Sequence, residues 1–148
     1  MKFIKKMLAA LVACTMVMTL LTACGGASNG KGNPMLDAVN EILKSSGSKV
    51  VLEYSPELTC AAEEFAQLDQ ELDAGKIDEE THDKNLGMLA EKYGKYSKDG
   101  QIDVCETSAA TDAACAADLA KHVRNDYTKA GFAVANLSEG RVLYMVCD

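Results

Sequence analysis

His82 and His122 are the only imidazoles in the 148-residue chain. Histidine is the side chain best suited to metal ligation or proton transfer near neutral pH. Cysteine is the other candidate chemistry. Setting aside Cys14 and Cys24, which lie in the N-terminal stretch, leaves Cys60, Cys105, Cys115 and Cys147. An even set outside the cytoplasm fits two disulfides, and Cys105–Cys115 with Cys60–Cys147 is the favoured pairing among three connectivities. No pair has the C-x-x-C spacing of zinc or redox sites, so structural bonds are expected. In an anaerobic source the same residues would stay free thiols. No serine sits in a Gly-x-Ser-x-Gly elbow, and no glycine loop could cradle phosphate, since Gly25-Gly26 belongs to a linker. The acidic residues from Glu63 to Glu80 lack EF-hand spacing and read as a solvated helix face and turn. Tyr93 and Tyr96 stand among Lys92, Lys95 and Lys98, a basic-aromatic cluster that fits a solvated turn or a contact to cell wall or glycan.

Where these residues work is set by the N-terminus. Lys2, Lys5 and Lys6 precede an uncharged apolar stretch over residues 7–21. That stretch has the length of a signal-peptide core and falls short of the roughly 20 residues of a membrane span. It ends in Leu21-Thr22-Ala23-Cys24, which resembles the lipobox of bacterial lipoproteins. Small residues before the cut let the chain enter a peptidase cleft extended, and the Cys24 thiol is the nucleophile for acylation with chains such as palmitate. Residues 1–23 are therefore expected to be a lipoprotein signal peptide, residues 24–33 a lipidated tether rich in Gly, Asn and Ser, and residues 34–148 one extracytoplasmic domain. The membrane is thus a partner through Cys24.

The formal net charge of −7 becomes three units more negative once the leader, with its three lysines and no acid, is removed. This acidic balance excludes nucleic acid as a partner and opposes adhesion to anionic headgroups. About 115 residues suffice for one core.

The elements that must hold the candidates follow from periodicity. Met35, Leu36, Val39, Ile42 and Leu43 recur at helical spacing, with Gly47 as a stop. Residues 50–52 read as extended. Ser55-Pro56-Glu57 reads as a helix start, with serine as cap, proline in the first turn and an acid near the positive end of the dipole. Leu58, Ala61, Ala62, Phe65, Leu68 and Leu72 form its apolar stripe, and Gly75 ends it. Residues 76–92 predict one or two short helices around His82, with turns at Tyr93-Gly94 and Asp99-Gly100. Ile102, Val104 and Cys105 fit a short strand. Thr111 and Asp112 can cap a helix reaching about Thr128. Phe132 to Leu137 and Arg141 to Cys147 are β-rich runs joined by Ser138-Glu139-Gly140, a hairpin. The order predicts an α+β domain.

Several of these segments, in this order, resemble the CAP superfamily, which includes cysteine-rich secretory, antigen 5 and pathogenesis-related 1 proteins and is also called SCP-like. Val39-Asn40 resembles its opening helix, and Tyr54-Ser55-Pro56-Glu57-Leu58 with Ala61-Ala62 its second landmark. Thr81-His82-Asp83, Gly87 and Tyr93-Gly94 resemble the histidine segment. Val104-Cys105-Glu106 stands where the family has glycine-glutamate-asparagine. His122 precedes Thr128-Lys129-Ala130-Gly131-Phe132-Ala133-Val134, similar to the entry to the last strands. The chain departs from the pattern in having no tryptophan, in Cys105 and Thr107 flanking the glutamate, and in Ala120-Lys121 before the later histidine.

The resemblance implies a three-layer α–β–α sandwich with a small antiparallel sheet, and a cleft lined by His82, Glu106 and His122. Such a trio could hold a divalent metal such as zinc, or a small ligand. Solvated helix positions for both histidines are the plainer reading. The function expected is a lipid-anchored binding or interaction domain for a cell-wall component, lipid or protein. A metal-assisted hydrolase using the same cleft and a purely structural surface lipoprotein are the alternatives.

Overall fold

A computed structural model describes residues 33–148. The expected signal peptide, the expected lipobox at Cys24 and the expected tether up to residue 32 lie outside the described residues.

Helix α1 spans Pro34–Ser45. Asn33 caps it by accepting hydrogen bonds from the Met35 and Leu36 amides. Met35, Leu36, Val39 and Leu43 form its buried stripe, and Gly47, at φ +80°, takes the left-handed conformation that ends it. Asn40 donates through Nδ2 to the Leu52 carbonyl and accepts the Leu52 amide through Oδ1, both at 2.9 Å. This two-ended clamp does for Leu52 what a neighbouring strand would do, and it holds the extended segment leading into β1, Glu53–Tyr54.

Helix α2, Pro56–Asp73, starts at the Ser55 cap as the sequence predicts. Residues 79–94 form one 16-residue helix, α3 (Glu79–Gly94), capped by Asp78. Of the one or two helices expected there, one is present, and it runs on through Tyr93-Gly94, where a turn was expected, because Tyr93 is buried and extends its packing face. Strand β2 is Asp103–Thr107. Helix α4, Asp112–Ala120, is capped by Thr111 and stops well before Thr128. Tight turns through residues 121–127 follow it, with Tyr127 buried beneath them. The hairpin is formed by β3, Lys129–Leu137, and β4, Gly140–Cys147.

The strands form one sheet in the order β1-β3-β4-β2. The β3–β4 and β4–β2 pairs are antiparallel, whereas β1 runs parallel to β3. The sheet is therefore mixed, not purely antiparallel: α2 carries the chain away from β1, and the strand beside it is reached only after a long crossover.

Alternation along the strands separates two apolar clusters. Phe132, Leu143, Met145 and Cys147 join α1 and α4 on one face. Ala135, Tyr144 and Val146 join α2 and α3 on the other. Successive residues of β4 thus serve opposite faces, as a period of two requires. Gly131 lets α2 approach β3: a Cβ there would lie 2.0 Å from the Thr59 nitrogen.

Candidate functional site

Four polar side chains from four elements lie on the α2/α3 face, three of them joined by hydrogen bonds. Asp69 lies on α2, four residues after Phe65, and so continues the buried stripe with a carboxylate. Its Oδ1 is 2.6 Å from His82 Nε2 in the first turns of α3. Its Oδ2 accepts the Tyr144 hydroxyl at 2.6 Å. Tyr144 is on β4 and fully buried, and Glu106 lies directly opposite it on β2. The Glu106 carboxyl is raised above the ordinary glutamate range, first by desolvation and then by the negative charge of Asp69, with His82 pulling the other way. Burial raises the Tyr144 hydroxyl strongly, with the Asp69 hydrogen bond adding to it, so it remains a donor through the neutral range.

A second polar tie holds α3 on α2. Glu64 accepts the Tyr93 hydroxyl at 2.8 Å and both its oxygens meet Lys92 Nζ, at 2.6 and 2.7 Å. Burial pushes the Tyr93 hydroxyl up to about 12. The expected basic-aromatic cluster is thus partly structural. Lys92 and Lys95 lie over the Tyr93 and Tyr96 rings, and of these rings only Tyr96 is exposed.

The three residues expected to line one cleft are divided between the faces. His82 and Glu106 both lie on the α2/α3 face. His122 follows the end of α4 in an exposed turn, its amide bonded to the Leu119 carbonyl, on the side of the sheet that α1 and α4 cover. The physical reason is the early end of α4: with the helix stopped at Ala120, His122 stays beside Asp118 and Lys121 on the α4 surface. Asp118 is lowered by its hydrogen bond to Lys121 and by one to Thr107. Among the described residues no three His, Cys, Asp or Glu side chains are placed to hold a metal ion.

Cys105, Cys115 and Cys147 are free thiols, so neither expected disulfide forms. Cys60 packs with the α2/α3 cluster while Cys147 is buried in the opposite one, which puts the sheet between that pair. The Cys115 thiol instead donates to the Ala109 carbonyl at 3.3 Å. Burial pushes Cys105 up to about 11 and Cys147 higher still, so both stay protonated at neutral pH.

Asp69 and Tyr144 were not legible as site residues. The available signal was an acid on an otherwise apolar helix stripe, facing a tyrosine in an apolar strand.

No protein-family model, curated protein or solved structure matches the chain.

Proposed function

We propose that this chain is a lipid-anchored extracytoplasmic binding domain of the CAP type. Its α2/α3 face would engage a small positively charged or proton-donating ligand, a divalent cation included, through His82 and Glu106. The anchor rests on the leader pattern and on Leu21-Thr22-Ala23-Cys24. The CAP-type reading rests on the ordered motifs, and helices on both faces of a four-stranded sheet are compatible with an α–β–α sandwich. The observation that carries the binding reading is the Asp69–His82 contact between α2 and α3, on the face of the sheet that also carries Glu106 of β2. Two acids beside one imidazole favour a cation and repel anions. His122 takes no part.

Zinc titration of the full chain in detergent micelles, followed by calorimetry, tests this reading. Saturable binding weakened at least tenfold by His82→Ala or Glu106→Gln, yet unchanged by His122→Ala, is the expected result. Absence of saturable binding by a folded chain, or an equal loss with His122→Ala, would overturn it. Labelling with an alkyne palmitate analogue, lost in Cys24→Ser, tests the anchor separately.

A further inference from the structure

The His82 ring is oriented by groups that the ligand reading leaves unused. We propose that Asp69 and Tyr144 are positioning residues. Asp69 accepts the His82 Nε2–H and Tyr144 fixes the carboxylate, so the Nδ1 lone pair is the atom that His82 offers to a cationic or proton-donating ligand. The inference rests on the binding role of this face.

The argument is one of donors and acceptors. An ionised carboxylate only accepts. The Tyr144 hydroxyl donates to Asp69 Oδ2, and His82 Nε2 lies 2.6 Å from Oδ1, the short distance of a charge-assisted bond. The proton between Asp69 and His82 therefore sits on Nε2. At a pH above the ordinary histidine range of about 6.5 the imidazole is neutral and has one N–H, which leaves Nδ1 as an acceptor. Asp83 Oδ1 is 3.7 Å from Nδ1, beyond hydrogen-bonding range, and the Asp83 side chain is 82% exposed. Among the described residues, the groups tied to the ring directly or through Asp69 are Asp69 from α2, Asp83 from α3, Glu106 from β2 and Tyr144 from β4. All are acidic, which sets the ligand class. The His82 side chain itself is only 13% exposed, so the ring is held and not free to reorient. Anchoring of a ligand-binding imidazole through its other nitrogen is a general way to fix tautomer and orientation.

Because the chain has two histidines, [15N]histidine labelling of the full chain in micelles gives a two-residue spectrum. Long-range 1H–15N correlation near pH 8, above the usual histidine range of about 6.5, reports each tautomer directly, with exposed His122 as the internal reference. The expected result is a single Nε2–H tautomer for His82 and solvent-averaged shifts for His122. Asp69→Ala should move His82 toward the His122 pattern and weaken zinc binding by about tenfold. If Asp69→Ala does not fold, the wild-type spectrum and Tyr144→Phe, in which His82 drifts part of the way, still decide. An Nδ1–H tautomer, or averaging in wild type equal to that of His122, overturns the proposal. A locked Nε2–H with no zinc response sustains the positioning roles and counts against the ligand reading instead.

Discussion

Glu106 sits on an edge strand, its side chain exposed but partly desolvated and within the field of the Asp69 carboxylate, and both effects disfavour its ionised form. A carboxyl whose folded pKa lies above its unfolded value, about 4.3, binds its proton more tightly in the native state. Its contribution to stability is fully present below the unfolded value and is lost as pH rises through the raised folded value. Glutamine keeps the shape and removes the ionisation. Glu106→Gln therefore raises Tm at pH 7 and leaves it unchanged at pH 4, as thermal melts at the two pH values will show. An equal shift at both would mean that charge is not the cause. Asn40 makes the complementary case of a satisfied polar residue. Asn40→Ala strips both partners from Leu52 and should cost about 2 kcal/mol in urea unfolding. At this scale the sequence carried half of the site. His82 and Glu106 stood out as rare or motif-like residues. Asp69 and Tyr144 are 75 positions apart and meet only because α2 packs across β4.

Helices were the most legible elements, because their ends are written in local chemistry. Ser55-Pro56 starts α2 and Thr111 caps α4, as their side-chain bonds to the Leu58 and Ala114 amides show. What local signals did not reveal was how far tertiary packing would extend or cut short an element. Burial of Tyr93 lengthened α3, and the turns after Ala120 shortened α4 and with it moved His122 out of the expected cleft. The parallel β1–β3 pair was equally hidden: two residues carry no period, and their partner lies 76 positions on. Two glycines separate packing from propensity. Gly131→Ala would drive a methyl group into the backbone of Leu58 and Thr59, so roughly 3 kcal/mol of stability or more should be lost. Gly87 is an exposed α3 residue with nothing within 4 Å of an added Cβ. Gly87→Ala should stabilise the domain by about 1 kcal/mol, since alanine restricts the unfolded chain and suits a helix. Urea midpoints of the pair, measured together, check both signs.

For the molecule as a whole, the question is whether the two faces of the sheet can fail independently. Each has its own helix pair and its own apolar cluster, and a chain built in this way could in principle open one side first. Strand β4 argues otherwise. Leu143, Met145 and Cys147 belong to the α1/α4 face, while Tyr144 and Val146 belong to the α2/α3 face, and all five are buried. The strand also lies between β3 and β2 in the sheet, so it cannot leave one cluster without leaving the other. The free thiols supply a reporter. Cys115 and Cys147 are buried on the α1/α4 face and react with an alkylating agent only when that face opens. Hydrogen exchange of the α2 amides reports the opposite face. Across a urea titration, pulsed alkylation of the two cysteines and exchange in α2 should share one midpoint, and Leu119→Ala or Phe65→Ala should lower both readouts together by about 2–5 kcal/mol. Alkylation preceding α2 exchange would show that the α1/α4 layer detaches first. The polar cluster of Asp69, His82, Glu106 and Tyr144 would then belong to a sheet and helix pair that stand without it.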